Sequence, residues 1–557
     1  MLTIVVVMQN LWLKAVDLGM QTLTLVYMLE AGFPESLIYS YALLITANAT
    51  SCIVMIWLGM RLSAFREVLV DSIFDLLFAV VFPVGILAHC YTNFNFDREL
   101  LELNLAVLPR GSFEQQARSM ANPSEIFLFR TSFDLLRVLS VPELMLRVGM
   151  NLLFCNRIKR VLEVQNLRRR RAQNLLSNLR LRSHSLQGQV CVPKYMVIPF
   201  AAFSVLVLVF TRLSVAASAS ACAAYPECVV YARRWNTRDV CPCLTLIDAD
   251  KTPKTYDEWM RPANKTEVVR QLARSGDLRA IQMINRRLPE FPDELRRCVE
   301  LRHVHIEGRL DVPSLDYLPE DLFSGMHTLA FVHFGVHPLL SKLPSFHGLA
   351  NVKRITLALL FAIDHLPSFE SLTRLERLDI VYLAALRRLP DLVSLHNLAE
   401  LSIIGCHALC CNGFLGVCDL SQVYCTENAS FYISKVSCLD EKQTASSLTN
   451  ATQRILHAKA GSICPFQELN APEMISKADV DTCGGVQFRQ CQKLPKPSQT
   501  DSKNATVAPV TGICFHTRMQ VLACTVDPLK IEVRKQQISH GLGPKCDPNV
   551  EAWLGCA

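Results

Sequence analysis

Between residues 329 and 397 the sequence repeats on a fixed step of 23 residues. The dipeptide Leu-Pro recurs at Leu343-Pro344, Leu366-Pro367 and Leu389-Pro390. Aligned on that step, three full units begin at Leu329, Val352 and Leu375, and a fourth opens at Leu398. Seven positions of each unit read Leu329, Val332, Phe334, Leu340, Leu343, Phe346, Leu349; Val352, Ile355, Leu357, Ile363, Leu366, Phe369, Leu372; and Leu375, Leu378, Ile380, Leu386, Leu389, Leu392, Leu395. All 21 are apolar in a chain that is 50% hydrophobic, so chance agreement is about one in two million. Such a period predicts an array of short units, each of which buries its apolar side only against its neighbours.

The unit LxxLxL followed by a return segment resembles a leucine-rich repeat and predicts a solenoid with one short strand per coil. Leu301-Arg-His-Val304-His-Ile306 fits the strand pattern one longer step of 28 upstream, so four or five coils are expected. Three residues beyond each strand's last apolar position, where such repeats carry Asn or Cys, stand His337, Leu360, Leu383 and Cys406. An asparagine ladder is therefore absent, and the array should be short and irregular.

Alternate strand positions give two polar columns, His303, Phe331, Arg354, Arg377, Glu400 and His305, His333, Thr356, Asp379, Ser402. On a concave face these are the candidate ligand-binding residues, for a protein or a polar polymer. His303, His305 and His333 sit one strand step apart, which raises a metal site; the solvated or ligand-binding face is the reading adopted, and no metal or cofactor is expected.

Eighteen of the 22 cysteines follow residue 221, with the sequons Asn264-Lys-Thr, Asn428-Ala-Ser, Asn450-Ala-Thr and Asn504-Ala-Thr. Dense cysteine and usable sequons both belong to the secretory lumen or the cell exterior. Cys228, Cys241, Cys243 and Cys298 before the repeat, and Cys406, Cys410, Cys411, Cys418, Cys425 and Cys438 after it, are read as disulfide-braced caps. Zinc at Cys241-Pro-Cys243 or Cys410-Cys411 is disfavoured, because no repeated C-x2-C pattern accompanies those pairs.

Upstream, residues 37–60, 72–91 and 195–219 are each long and apolar enough to span a bilayer. Pro83 should kink the second. Residues 11–29 contain Lys14 and Asp17 and read equally as a span with those two paired or as an interfacial helix. Residues 1–91 carry 3 basic and 6 acidic groups, residues 92–194 carry 16 and 8, and the remainder 38 and 36. The basic excess, including Arg157, Lys159, Arg160, Arg168, Arg169, Arg170, Arg171, Arg180 and Arg182, marks 92–194 as a cytoplasmic loop. Arg168–Arg171 is also a candidate contact for anionic lipid. Phe133–Cys155, apolar but broken by Arg137, Glu143 and Arg147, suits a helix lying in the interface. The nearly balanced charge beyond residue 195 argues against nucleic acid. The small-residue run 215–221 has the pattern signal peptidase cuts, but an uncut membrane exit is the reading adopted.

From about Ala458 the chain is loop-rich and cysteine-rich. Its ending Cys546-Asp-Pro-Asn-Val-Glu-Ala-Trp553-Leu-Gly-Cys556, with Gly512-Ile-Cys-Phe and Arg518-Met-Gln-Val upstream, resembles the WLGC domain of oomycete membrane proteins. That resemblance implies N-terminal spans, a basic cytoplasmic loop, leucine-rich repeats and a cysteine-rich end, and implies no site residues.

The expected architecture is α+β. It comprises spans within 1–91, a cytoplasmic loop 92–194, a span 195–219, an N-terminal cap 220–300, repeats with a C-terminal cap 301–440, and a disulfide-rich module 458–557. The chain has no P-loop, kinase loop set, GxSxG or HExxH. A cell-surface recognition or adhesion protein is therefore the expected function, with a structural wall protein as the alternative. A hydrolase using Asp527, His540, Asp547 and Glu551 is less favoured, because acids in a disulfide knot more often cap turns and helices.

Overall fold

The structure, a computed structural model, describes residues 2–58, 64–94, 97–107, 123–134, isolated positions from 136 to 166, 194–237, 239–249, 255–309, 312–411, isolated positions from 420 to 437, 448–464, 475–493, 509–515 and 521–557. It divides into two compact units, residues 1–95, 125–224 and 230–242, and residues 96–124, 225–229 and 243–557.

The first unit is helical. Its main helices are Leu2–Glu30, Glu35–Leu58, Ala64–Leu76 and Val197–Cys222. Three helical stretches, Glu35–Trp57, Leu69–Asn93 and Lys194–Cys222, are long and apolar enough to cross a membrane. The expected kink at Pro83 takes the form of a π-turn, Leu77–Val81, leading into the helix Phe82–Asn93. Widening the helix by one residue there accommodates the N–H that proline lacks.

The polar groups of these apolar helices meet one another. Lys14 Nζ lies 2.5 Å from Asn48 Oδ1 and 2.6 Å from Asp71 Oδ1, and Asn48 Nδ2 donates to Gln21 Oε1 at 3.0 Å. Lys14 thus reaches across helices, beyond the expected neighbour Asp17. Asn48 is fully buried among these groups.

Arg233 Nη1 pairs with Glu35 at 2.9 Å, Arg234 Nη2 with Glu30 at 2.7 Å, and the Cys222–Cys241 disulfide clips the same segment to the last helix. The turn between the first two helices and the C-terminal end of Val197–Cys222 therefore share one end of the unit. Tyr41 packs edge-on against Phe78 and Phe82, while Lys14 joins Asn48 to Asp71. The second and third helices are thus antiparallel, and Asn93 returns to that same end. Lys194 begins at the other end, about 40 Å away at 1.5 Å per residue.

Gly149 lies where an added Cβ would stand 3.3 Å from Met20 Cε, and Leu136 packs against the helical core. Of the expected interfacial helix 133–155, the described positions 136 and 149 make these contacts, and many of its other positions lie outside the described residues.

The second unit is built on an eight-stranded mixed sheet in sequence order. Its strands are β1 Cys228–Tyr231, β2 Cys243–Asp248, β3 Ala280–Ile284, β4 His303–Glu307, β5 Phe331–Gly335, β6 Arg354–Ala358, β7 Arg377–Val381 and β8 Glu400–Ile404. Strands β2 to β8 run parallel, and from β5 to β8 each residue pairs with the one 23 positions on, as Leu378 does with Ile355 and Leu401. Of the repeat's apolar positions all but Leu343 are buried. Phe346 stacks on Phe369 at 6.0 Å and lies tilted against Phe323 at 6.4 Å, so the return segments interlock as the strands do.

Each of β5 to β8 is followed by a left-handed residue. Val336, Leu359, Tyr382 and Gly405 have φ of 61°, 56°, 56° and 66°. The first three donate their N–H to the end of the following strand, at Ala358 O, Val381 O and Ile404 O. This backbone bond recurs where a side-chain ladder is missing. The residue after each turns into the core, placing His337, Leu360, Leu383 and Cys406 at full burial. His337 lies 2.8 Å from Ser314 Oγ and 3.1 Å from Ile306 O.

Two expectations are corrected. The sheet starts before residue 301, because β2 and β3 lie within the stretch assigned to a cap. Cys298 and Cys406 are buried thiols, contrary to the disulfide-braced reading; burial pushes Cys298 up to about 11 and Cys406 up to about 12. The helix Arg98–Val107 packs against the helix Pro528–His540, with Gln537 Nε2 donating to Asn104 Oδ1 at 2.9 Å and Leu100 against Gly543.

Burial lowers His337 from its ordinary 6.5 to about 4, against the partly opposing pull of Ile306 O and Glu307. Between those values the unfolded chain binds a proton that the folded chain refuses, so stability present above pH 6.5 is lost as pH falls toward 4. About 2 kcal/mol should disappear between roughly pH 7.5 and 5. Denaturant titration of the full chain at both pH values should show that loss, reduced by a similar amount in His337→Asn; an equal slope in the variant contradicts it.

Candidate functional site on the strand face

Residues two apart on a strand share a face, and in-register pairing aligns them into columns. One column is His303, Phe331, Arg354, Arg377, Glu400 and the next is His305, His333, Thr356, Asp379, Ser402. The nine expected site residues, His303, His305, Phe331, His333, Arg354, Thr356, Arg377, Asp379 and Glu400, therefore lie together on one face. A third column, Glu307, Gly335, Ala358, Val381 and Ile404, completes it. Glu307 was legible as the residue two beyond His305. On β3, Ala280, Gln282 and Ile284 extend the columns, and their signal was Leu278, Ile281 and Met283, one 23-residue step before Leu301, Val304 and Ile306.

The first column is half-buried to exposed. The His303 ring stacks on Phe331 at 4.3 Å with planes 6° apart, and the Arg354 guanidinium lies 5.9 Å from the Phe331 ring on the other side of the pairing. Arg377 Nε pairs with Asp379 Oδ2 at 2.7 Å and its Nη1 with Glu400 Oε2 at 2.6 Å. Thr356 Oγ1 donates to Asp379 Oδ2 at 3.3 Å. Arg354 and Glu400 are exposed, so the face presents an aromatic platform, a cation and an anion in sequence.

The second and third columns close inward. His305 and His333 stack at 4.0 Å with planes 12° apart, and Glu307 Oε1 lies 2.6 Å from His305 Nε2 and 3.2 Å from His333 Nε2. All three are buried. Gly335 leaves the space this cluster needs, since a Cβ there would stand 3.0 Å from both Glu307 Cγ and His333 Nε2.

Of the sequons, Asn264 and Asn450 are exposed, and Asn264 Oδ1 accepts from Thr266 N at 3.0 Å. Asn428 and Asn504, like Arg168, Arg169, Arg170 and Arg171, lie outside the described residues.

Six disulfides join described cysteines, namely Cys222–Cys241, Cys228–Cys243, Cys410–Cys464, Cys483–Cys514, Cys491–Cys524 and Cys546–Cys556. The last three brace the C-terminal region, where β9 Gln490–Lys493, β10 Val510–Phe515 and β11 Ala523–Thr525 form an antiparallel sheet. There Trp553 Nε1 donates to Phe488 O at 3.2 Å, Leu554 packs with Phe488 and Ile513, Gly555 adopts φ 96°, and Cys556 closes the disulfide. Each residue of Trp-Leu-Gly-Cys thus has its own structural task.

The acids considered for hydrolysis are engaged as well. Asp527 and Asp547 cap helices by accepting from Leu529 N and Asn549 N, and Glu551 grips Arg534 through Nε at 2.6 Å and Nη2 at 3.1 Å. His540 is exposed at the end of its helix, next to Gln536 O.

Residues 478–557 match the WLGC domain family. No relative among curated proteins matches the sequence.

Within this domain Arg534 is fully buried, with its guanidinium 4.1 Å from the Phe488 ring. Removing Glu551 leaves that charge uncompensated, at a cost of about 3–5 kcal/mol, whereas losing a helix cap costs about 1 kcal/mol. Urea unfolding should therefore rank Glu551→Ala well below Asp547→Ala in stability; the reverse order contradicts the assignment.

Proposed function

We propose that this chain is a membrane-anchored protein whose leucine-rich-repeat ectodomain recognises a protein or a cell-wall polysaccharide outside the cell. The observation that carries this reading is the row His303, Phe331, Arg354, Arg377, Glu400, which sets aromatic, cationic and anionic groups about 4.8 Å apart on one face. Tyr-like stacking platforms with flanking charge suit sugar rings and polar peptide alike. Support for the leucine-rich-repeat assignment comes from the 23-residue register and the buried apolar positions. A glycosylated wall protein whose repeat is only a spacer is the alternative; it assigns no task to the exposed Arg354.

The reading includes an orientation. Five crossings would set residues 98–107 and 528–540, which pack together, on the same outer side: residues 2–30 outward, 35–58 inward, 64–93 outward, a return between residues 107 and 194, and 197–222 outward. Arg61, Arg66 and the Arg157–Arg182 group then fall at the inner end, as the positive-inside rule favours, with Arg168–Arg171 set against anionic lipid. Asn264, Asn428, Asn450 and Asn504 fall outside, where they would carry glycans. The oomycete source belongs to the same proposal.

Two measurements test it. With the full chain in membranes, Arg354→Glu and Phe331→Ala should each weaken binding to fractionated wall polysaccharide or secreted protein at least about tenfold, roughly 1.4 kcal/mol, without altering thermal stability. Binding that ignores both variants favours the spacer. An epitope tag after Val107 should be reached by antibody on intact cells, and one after Arg171 only after permeabilisation. If both require permeabilisation, the five-crossing orientation is wrong.

A further inference from the structure

We infer that His305, Glu307 and His333 form a binding site for a divalent transition-metal ion, zinc above all, through the two imidazole Nε2 atoms and the Glu307 carboxylate. The inference goes beyond the recognition reading and does not depend on it or on membrane orientation.

Three features of the strand face support it. The three ligand atoms already converge, with Glu307 Oε1 at 2.6 Å and 3.2 Å from the two Nε2 atoms, and all lie within 4.8 Å of one another. Ligands held at about 2.0–2.2 Å from a tetrahedral zinc sit about 3.3–3.5 Å apart, close to the separations here, and turning the stacked rings out of parallel brings both Nε2 lone pairs onto one ion. The donor set of two imidazoles and a carboxylate suits zinc and leaves a fourth position for water.

The second feature is burial on the polar side of the sheet. His305 and His333 project from the face opposite the Leu and Ile core, since Val304 and Ile306 flank His305 and point the other way. They nevertheless retain only 2% and 6% exposure, and Glu307 only 9%. Two imidazoles and a carboxylate are withdrawn from water together, which a shared cation would compensate.

The third is the space beside them. In the third column the strand after Glu307 carries Gly335, followed by Ala358, Val381 and Ile404. Any larger residue at 335 would press on Glu307 Cγ and His333 Nε2, each 3.0 Å from the built Cβ. Gly335 is not in the left-handed group, so the need for glycine here is one of room around the ligand atoms rather than of backbone conformation.

The ligand exchange balances simply. With Nε2 of each imidazole carrying a proton, both rings donate to Glu307; on metal binding Nε2 gives its lone pair to the ion and the ring proton resides on Nδ1. No redox step is involved.

The test uses full-length protein in detergent micelles, stripped with a chelator and titrated with zinc chloride by calorimetry, and with cobalt chloride followed by absorption. One ion per chain should bind with a dissociation constant at or below about 1 µM. Glu307→Gln and His333→Gln, which preserve size and hydrogen bonding, should each weaken binding at least tenfold, while His303→Gln leaves it unchanged. The cobalt spectrum should lack thiolate charge-transfer bands. Absence of saturable binding in the unaltered protein, unchanged affinity in both variants, or a thiolate-cobalt spectrum would each overturn the site. Cooperative melting of each variant verifies that a loss of binding is not a loss of fold.

Discussion

A short parallel strand that is apolar on one side buries almost nothing by itself. In this chain the partner that buries it lies 23 residues ahead, and the same step recurs from β5 through β8. Leu378 is therefore enclosed by Ile355 and Leu401, and the phenylalanines of the return segments stack on the same step. Because each layer is completed only by the next, the stack gains or loses stability between neighbours rather than residue by residue. Everything on the opposite face inherits its spacing from this pairing.

That inheritance explains why chemistry gathers where it does. Side chains that alternate with the core residues are held one strand apart, which brings imidazole onto imidazole at β4 and β5 and guanidinium onto carboxylate at β7 and β8. The left-handed residue after each of β5 to β8 turns the chain inward, and after β5 to β7 its N–H bonds the end of the following strand, so the loss of an asparagine ladder leaves that backbone satisfied. Val336 bears the steepest steric cost in that series, being β-branched at positive φ.

The strand pattern was legible because LxxLxL with a constant step encodes both the pairing register and the two faces. All nine face residues followed from alternation alone. What escaped was carried by weaker signals. β3 keeps the step in its core residues Leu278, Ile281 and Met283, but the Leu-Pro that follows, Leu288-Pro289, stands off the position that Leu343, Leu366 and Leu389 share, and β2 stands 35 residues before β3. Cys298 and Cys406 belong to a cysteine-rich region by composition, yet each is enclosed by packing, with Cys406 Sγ 3.7 Å from Ile380 O. No spacing rule separates such a thiol from a disulfide partner. In the basic stretch 92–194 the charge lies mainly in the second half, whereas Leu100 and Asn104 pack against the C-terminal helix. Long-range packing of that kind leaves no periodic trace in sequence.

The dependence of the whole second unit on strand stacking is open to a direct measurement. Leu378 has no exposure and sits in the middle of the parallel series. Leu378→Asp places an unpaired charge between two strands, with no partner to offset several kcal/mol of desolvation, while Leu378→Met preserves volume and costs under about 1.5 kcal/mol. Limited proteolysis of the full-length variants under oxidising conditions should find residues 255–411 cleaved in Leu378→Asp and protected in Leu378→Met. Protection of this region in Leu378→Asp equal to that of the unaltered chain would contradict the account.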